Sequence, residues 1–333
     1  MDGIWQTIWD SFWIRALRDP FRYPVDFNER IFIGYLATSL ILAVGVYIYL
    51  RRHKPDATPR GLFAFLFPKQ VYLHKSAIAD YKFFLVDRIV FVLMAPIALV
   101  YVEPLIGMTD ALLTRVLGPV SSPWDPGSPW VMGLAMVSQI LLVDFLLFYM
   151  HYLCHKLPLL WEFHKVHHSA EVMTPLTAYR MHPLEVVFNM NVTAIFTGLL
   201  LGLFGYLTNG GRPGFEILGI NAIQFAFYVV GFNLRHSHVP LGYGSIVSQL
   251  LVSPWMHQVH HSRETRHLDM NMGFIFSFWD RMFGTLYVPG KDEADYALGL
   301  TTGEHVHFHG VLAMYFRPFA NLARRWFKPA KAA

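Results

Sequence analysis

Long apolar segments alternate with shorter polar segments along most of this chain. Residues 31–50 contain no charged side chain and reach the ~20 residues that a helix needs to cross a bilayer. Further apolar runs cover residues 83–106, 131–150, 184–206 and 214–234, and the turn TNGGRP joins the last two. The pattern predicts an all-α membrane protein with about three transmembrane helices plus a helical hairpin, capped by a cytoplasmic helical domain that carries histidine motifs.

The composition narrows the class of protein further. Hydrophobic residues make up 54% of the 333 residues and charged residues 15%, whereas a soluble domain carries about 25% charged residues. We therefore exclude an ordinary soluble enzyme and a disordered chain, and we expect no nucleic-acid partner. The single cysteine, Cys154, excludes an intrachain disulfide and a cysteine-based metal site.

Lysine and arginine are distributed unevenly among the polar segments. Residues 51–82 and 235–333 are rich in both, whereas residues 107–130 contain only Arg115. Because cytoplasmic loops carry the excess of these residues, we predict that the first two segments are cytoplasmic and that residues 107–130 form an external loop. The predicted location is the inner membrane if the source is bacterial and the endoplasmic reticulum if it is eukaryotic.

Eight histidines fall in three short motifs on the predicted cytoplasmic side. HYLCH begins at residue 151, HKVHH at residue 164 and HQVHH at residue 257. Spacings of three and four residues put such rings on one face of a helix. So many imidazoles predict two metal ions, and imidazole suits zinc, copper, iron and nickel. The candidate ligands are His151, His155, His164, His167, His168, His257, His260 and His261, with His182 and His236 as further candidates.

The other histidines fit this picture less directly. Only one of His236 and His238 needs to face inward. The alternation in HVHFH does not match a helix face, so we expect His305, His307 and His309 in a solvated loop. We expect His267 to support the ligands or to lie at the surface.

Several charged and amide side chains lie near the motifs. Metal-bound imidazoles usually donate their second N–H to a carboxylate or a carbonyl. Asp144 lies inside the third apolar run, where a carboxylate is costly, and it fits either the site or a structural hydrogen bond. The other candidates for orienting ligands are Glu162, Glu171, Glu185, Asp269, Asp280, Arg180, Asn233, Arg263 and Asn271.

Residues 131–288 resemble the fatty acid hydroxylase / sterol desaturase superfamily of integral-membrane di-iron enzymes. The resemblance rests on the three histidine motifs in order, on AYRMHPLE after the second and on NMGFIFSFWDRMFGT after the third. It implies catalytic and ligand roles for the eight motif histidines and supports His182 and His236 as ligands. It implies a catalytic domain over residues 131–290. The apolar and charge patterns predict an N-terminal amphipathic segment with the first two transmembrane helices (1–130) and a cytoplasmic C-terminal tail (291–333) on either side of it.

The resemblance also implies the cofactors and the partners. Two ferrous ions would act with O2 as co-substrate, and zinc can replace iron in preparations. Electrons would come from a separate ferredoxin- or cytochrome-like donor with its reductase. The substrate would be a membrane lipid, whether a sterol, a fatty acyl chain or an aminolipid, and the reaction would be hydroxylation or desaturation.

Three other functions fit a histidine-rich membrane protein. A metal transporter would place polar groups near the bilayer midplane, where these apolar runs have few. A membrane zinc protease needs H-E-x-x-H, which the motifs do not contain. A bis-histidine cytochrome needs single histidines on facing helices at membrane depth.

Overall fold

The computed structural model describes residues 21–121, 123–214, 216–217, 220–290, 293 and 296–327. The first 20 residues of the predicted amphipathic segment lie outside this set. The prediction of an all-α membrane protein is confirmed. The helices are α1 (Ile33–His53), α2 (Leu62–Leu66), α3 (Lys69–Tyr72), α4 (Lys75–Ala98), α5 (Val102–Leu117), α6 (Pro129–Lys156), α7 (Pro158–His168), α8 (Pro183–Leu207), α9 (Ala222–Val229), α10 (Gly244–Val247), α11 (Pro254–His260), α12 (Phe278–Phe283) and α13 (Val311–Phe327).

Among the described residues, four helical stretches are long and apolar enough to cross a membrane. They are α1, the 43-residue stretch 75–117 that contains α4 and α5, α6 and α8. The first histidine motif ends α6 and the second lies on α7, which follows α6 directly, so the candidate site lies beside the end of this apolar helix.

The prediction of an external loop at residues 107–130 is wrong for residues 107–117, because α5 continues to Leu117. Helix α5 packs against α8, and two glycines of α8 allow an unusually close approach of the two helices. A Cβ atom on Gly198 would lie 2.5 Å from the Leu105 Cβ, and one on Gly202 would lie 2.4 Å from the Thr109 Cβ. The low charge of this segment is therefore consistent with the packing of α5 against α8.

The second arm of the predicted helical hairpin also differs. The first arm is α8, but residues 214–234 form a short antiparallel pair, β1 (Glu216–Ile217) with β2 (Ile220–Asn221), followed by the eight-residue α9. Asn221 caps α9 by accepting a hydrogen bond from the Ile223 N–H, and α9 ends before Gly231, whose φ is 99°. A helix of this length cannot span a bilayer.

The described part of the predicted C-terminal tail is packed onto the domain. Met314 of α13 is buried with Phe83 of α4, Val166 of α7 and Phe308. His305 is also buried, which corrects the prediction of a solvated loop for it. Residues 304–308 form a single helical turn in which His305 is buried. The alternation of histidines in the sequence does not predict this turn.

Candidate metal centre

The motif histidines converge into two groups. In the first, His151 and His155 of α6, His164 and His168 of α7 and His260 of α11 bring one ligand atom each within 4.8 Å of one another. A metal ion at their centre could therefore contact all five.

The second group lies beside the first. His167 of α7, His236, His257 of α11 and His261 also bring their ligand atoms within 4.8 Å of one another. The ring of His261 stacks on that of His168, with centroids 4.7 Å apart.

Each H-x-x-H-H motif contributes to both groups. In the second motif, His164 and His168 belong to the first group and His167 to the second. In the third motif, His260 belongs to the first group, whereas His257 and His261 belong to the second. Helix spacing predicts a shared face, but the division between groups depends on which helix packs opposite each ring.

Backbone carbonyls orient three of the rings. The Nδ1–H of His151 donates to the Met272 carbonyl at 2.8 Å, and that of His260 donates to the Met270 carbonyl at 2.7 Å. His167 donates in the same way to the Arg180 carbonyl at 3.2 Å. A proton on Nδ1 leaves the Nε2 lone pair free for a metal.

Two carboxylates orient two further rings of the first group. His164 Nδ1 lies 2.7 Å from Glu185 Oε1, and His155 Nδ1 lies 3.2 Å from Asp269 Oδ1. The buried Nε2 atoms of His151, His155 and His260 have no hydrogen-bond partner within the described part of the chain. Because an unpaired buried polar atom is costly, these atoms fit a metal ion.

Burial keeps six of the imidazoles outside the spanning helices neutral. It lowers the pKa of His260 to about 3. Burial also lowers five other histidine pKa values well below the ordinary value, and neighbouring rings add to the effect; these residues are His167, His168, His236, His257 and His261. The Arg235 charge lowers the pKa of His236 and His257 further. Neutral imidazole is the form that binds metals.

These low pKa values predict an acid-sensitive metal-free protein. The unfolded chain binds protons on histidine below about pH 6.5, whereas the folded apoprotein does not, so its stability falls as the pH drops below that value. Each such histidine is expected to contribute about 1.4 kcal/mol per pH unit. Thermal unfolding of chelator-treated protein at several pH values measures this slope. A midpoint that stays constant between about pH 7 and pH 5 would contradict the prediction.

Arg235 is a buried cation beside the second group. Its guanidinium donates to the carbonyls of Phe274 at 2.6 Å and Gly273 at 2.9 Å, and Nη2 lies 3.1 Å from His257 Nδ1. Burial lowers its pKa to about 10. The sequence pattern carries no signal for this role of Arg235, which links the second group to the segment 273–274.

Asp144 is a structural residue that holds the segment after the third motif. Its carboxylate accepts hydrogen bonds from the N–H groups of Ile275 at 2.6 Å and Phe276 at 3.1 Å and from Trp279 Nε1 at 3.0 Å. The Asp144 carboxylate is costly to bury in α6, and it is stabilised there by hydrogen bonds from the distant segment 275–279.

Asp280 holds the same segment from the other side. It accepts hydrogen bonds from the N–H groups of Met272 at 2.7 Å and Gly273 at 2.9 Å. Burial raises the pKa of Asp280 to about 6. Asp144 and Asp280 together fix the backbone whose Met272 carbonyl orients His151.

Gly273 is expected to tolerate no side chain. A Cβ atom there would lie 2.7 Å from both Asp280 Oδ2 and Val252 Cγ2. Gly273→Ala is therefore expected to lower stability by about 1–3 kcal/mol through overpacking and to weaken metal binding by shifting Met272. The thermal midpoint and the metal content measure both effects. Gly133→Ala is the matched control, since its Cβ meets open space; equal behaviour of the two variants would refute this role.

Asp80 supports the second motif and was missed in the sequence. It forms a fully buried ion pair with Arg180, with an N–O distance of 2.6 Å. Arg180 also donates to the carbonyls of Val166 and Phe308, both at 2.9 Å. Asp80 lies in a segment that is otherwise basic, and only the tertiary contact reveals its role.

Two of the other histidines lie apart from the groups. His182 caps α8 by accepting a hydrogen bond from the Leu184 N–H on Nδ1, and its Nε2 lies 3.0 Å from the Tyr315 carbonyl. His238 Nε2 donates to the Phe65 carbonyl at 2.6 Å. Both ring nitrogens of His182 are occupied, so the structure does not support the prediction of this residue as a ligand.

The remaining polar candidates bind other parts of the fold. Glu162 pairs with Lys165 and with Arg325, both at 2.9 Å. Glu171 accepts a hydrogen bond from His309. Asn233 donates to the Arg30 carbonyl, and Asn271 donates to the carbonyls of Met256 and Tyr287.

A cavity of about 330 Å³ with a mixed polar and apolar lining lies outside the two groups. Its lining residues Ser237 and His238 follow His236 in the chain, and Arg263 follows His261 by two residues. The other polar lining residues are His74, Glu171, Tyr296 and His305. None of the nine grouped histidines lines this cavity.

Comparison with known proteins agrees with the site. A family model described as fatty acid hydroxylase matches residues 136–285. Alkylglycerol monooxygenase of Danio rerio is 31% identical over 53% of this chain and 34% of its own length. Ornithine lipid hydroxylase OlsE of Rhizobium tropici is 28% identical over 59% of this chain and 54% of its own. Cholesterol 25-hydroxylase of Homo sapiens is 26% identical over 84% of this chain and 90% of its own length.

The chain spans between a third and somewhat more than half of the length of the first two of these relatives. No solved structure matches it significantly. The family match contains all three histidine motifs and the segment that Asp144 and Asp280 hold. By this match, residues 136–285 form a fatty acid hydroxylase domain.

Proposed function

We propose that this protein is a membrane-bound di-iron oxygenase that hydroxylates or desaturates a C–H bond of a membrane lipid. One observation carries the proposal: nine histidines form two groups beside the end of the apolar helix α6, and the buried Nε2 atoms of His151, His155 and His260 have no hydrogen-bond partner among the described residues. The relatives named above are an alkylglycerol monooxygenase, an ornithine lipid hydroxylase and a cholesterol 25-hydroxylase.

The proposed ligands are the eight motif histidines together with His236. His182 is left out because both of its ring nitrogens are occupied. An all-imidazole donor set suits iron and also zinc, so zinc in a preparation would not identify the working metal. Bound iron would supply the capacity to activate O2 with external electrons for attack on an unactivated C–H bond.

The chain's own residues prepare this site in three ways. Carbonyls and carboxylates on Nδ1 fix five of the rings, those of His151, His155, His164, His167 and His260. Burial keeps water away from the unpaired Nε2 atoms of His151, His155 and His260. The position beside the end of α6 lets a lipid chain approach from the bilayer.

The orientation and the partners are part of the same proposal. The distribution of lysine and arginine supports a position of the histidine groups on the cytoplasmic face. A separate electron donor with an acidic surface would suit this basic face, and its docking there would keep electron delivery on the metal side of the membrane. The substrate class remains a sterol, a fatty acyl chain or an aminolipid.

The test is oxygen-dependent lipid modification. Membranes that contain the full chain, supplied with ferrous iron and a reductant, should yield a lipid that has gained one oxygen atom or lost two hydrogen atoms, detected by mass spectrometry. The product should disappear without O2 and in the His167→Ala/His260→Ala variant. His307→Ala is the control, because His307 is exposed and outside both groups. Full product from the double variant would refute the proposal.

A further inference from the structure

Helix α13 is attached to the protein mainly along one face. Met314 is buried, the Tyr315 hydroxyl donates to Asp87 Oδ1 at 3.0 Å, and Asn321 Nδ2 donates to Glu162 Oε2 at 2.9 Å. These contacts hold α13 against α4 and α7. The opposite face is largely exposed, and of its large apolar side chains Phe319 contacts the rings of Phe163 and His182.

The outward face of α13 is strongly apolar. Leu312 is 72% exposed, Phe316 64% and Phe319 46%. Their spacing of i, i+4 and i+7 places them in one stripe along the helix. Such a stripe of large apolar side chains is unfavourable in water and indicates a membrane or a partner surface.

The stripe continues onto the surface of a spanning helix. Phe319 packs on the ring of His182, with centroids 5.6 Å apart, and His182 is the N-cap of α8. The first outward residues of α8, Leu184 and Phe188, are also exposed apolar side chains. The stripe therefore lies at the level where α8 enters the bilayer, next to side chains that face lipid.

The charges of α13 fit the same surroundings. The helix contains Arg317, Arg324 and Arg325 and no acidic residue. Arg325 pairs with Glu162, whereas Arg324 is exposed on the flank of the stripe. Arginines beside an apolar face are typical of helices that lie in the membrane interface, where they meet anionic headgroups.

We propose that α13 is an interfacial membrane helix whose partner is the bilayer itself. Its stripe of Leu312, Phe316 and Phe319 lies among the upper acyl chains, and its exposed Arg324 lies at the headgroups. The helix thereby anchors the histidine-bearing domain to the membrane at a point outside the spanning helices. This assignment is independent of the metals and of the reaction.

The test uses fluorescent probes on the full chain in lipid nanodiscs. An environment-sensitive dye is attached to Leu312→Cys, to Phe316→Cys or, as the water-facing control, to Thr301→Cys in an exposed loop. The native Cys154 is buried and does not compete for the dye. Brominated acyl chains quench dyes within the bilayer, and iodide quenches dyes in water.

The dyes at positions 312 and 316 should show a blue-shifted emission and lose intensity with brominated lipid but not with iodide, and the control should do the reverse. Quenching by iodide at position 316 equal to that at position 301 would overturn the proposal. Protection from both quenchers would also overturn it, since another protein would then cover the stripe.

A measurement on the unmodified protein makes the test independent of labelling. Hydroxyl-radical footprinting in nanodiscs should oxidise exposed His307 much more than Phe316 and Phe319. Oxidation of the two phenylalanines at the level expected from their exposure would contradict burial of the stripe in lipid.

Discussion

Replacing Asp80 by Ala is expected to lower the free energy of unfolding by about 3–5 kcal/mol, because it leaves the Arg180 guanidinium buried without a carboxylate. Both side chains are wholly buried. Asp80 also accepts a hydrogen bond from Thr177 Oγ1 at 2.7 Å, so its loss leaves a second buried donor unpaired. Denaturant unfolding of the purified protein in detergent measures the change.

The effect of Asp80→Ala should reach the second histidine group. The Arg180 carbonyl accepts the Nδ1–H of His167, and a displaced Arg180 backbone would release that ring. We therefore expect the variant to bind less metal even at temperatures where it stays folded. Metal content after gel filtration reports this loss separately from stability.

An exposed ion pair supplies the matched control. Arg212 and Glu103 form a pair with an N–O distance of 2.7 Å, but both side chains are 66% exposed. Glu103→Gln is expected to leave stability unchanged, since water screens such pairs. The double variant Asp80→Ala/Arg180→Met should be less destabilised than the sum of the single variants. A mild effect of Asp80→Ala, equal to that of Glu103→Gln, would show that the pair contributes little.

The sequence predicts which histidines form the site better than it predicts how they are arranged in space. The motif spacing identified eight of the nine histidines in the two groups, and the end of an apolar run identified His236. The division of each motif between two groups could not be predicted, because it depends on which helix faces each ring. The carbonyls of Met270 and Met272 orient ligands but have no sequence signal at all.

The fold was predictable where length and hydropathy agree. Residues 31–50 satisfy both, and α1 contains nearly all of them. Residues 214–234 are apolar, but a strand pair and the Asn221 cap divide them, so hydropathy alone overestimated the helix. Asp80 was hidden for the opposite reason: it lies in a basic segment, and its role appears only when α4 packs against Arg180.

Replacing His260 or His167 by Ala is expected to remove one metal each and to abolish product formation. Each side chain belongs to a different group, so each variant should fall from about two bound metals per chain to about one. Changes to residues that merely orient ligands cost 10–100-fold in affinity or activity, so loss of a ligand should lower the rate by more than about 100-fold. Elemental analysis of the iron-reconstituted protein gives the stoichiometry, and lipid mass spectrometry gives the rate.

The pair of variants separates a two-metal site from a single site shared by all nine imidazoles. If one metal occupied the whole cluster, both variants would lose the same ion and the double variant would bind no less than either. With two sites, the double variant should lose both ions, whereas His307→Ala should keep both and retain full activity because its exposed ring touches neither group. An unchanged metal content in His260→Ala would exclude the first group as a site. The Met270 carbonyl anchors the Nδ1 of His260, and the unpaired Nε2 of the same ring is one of the atoms that the proposal assigns to a metal.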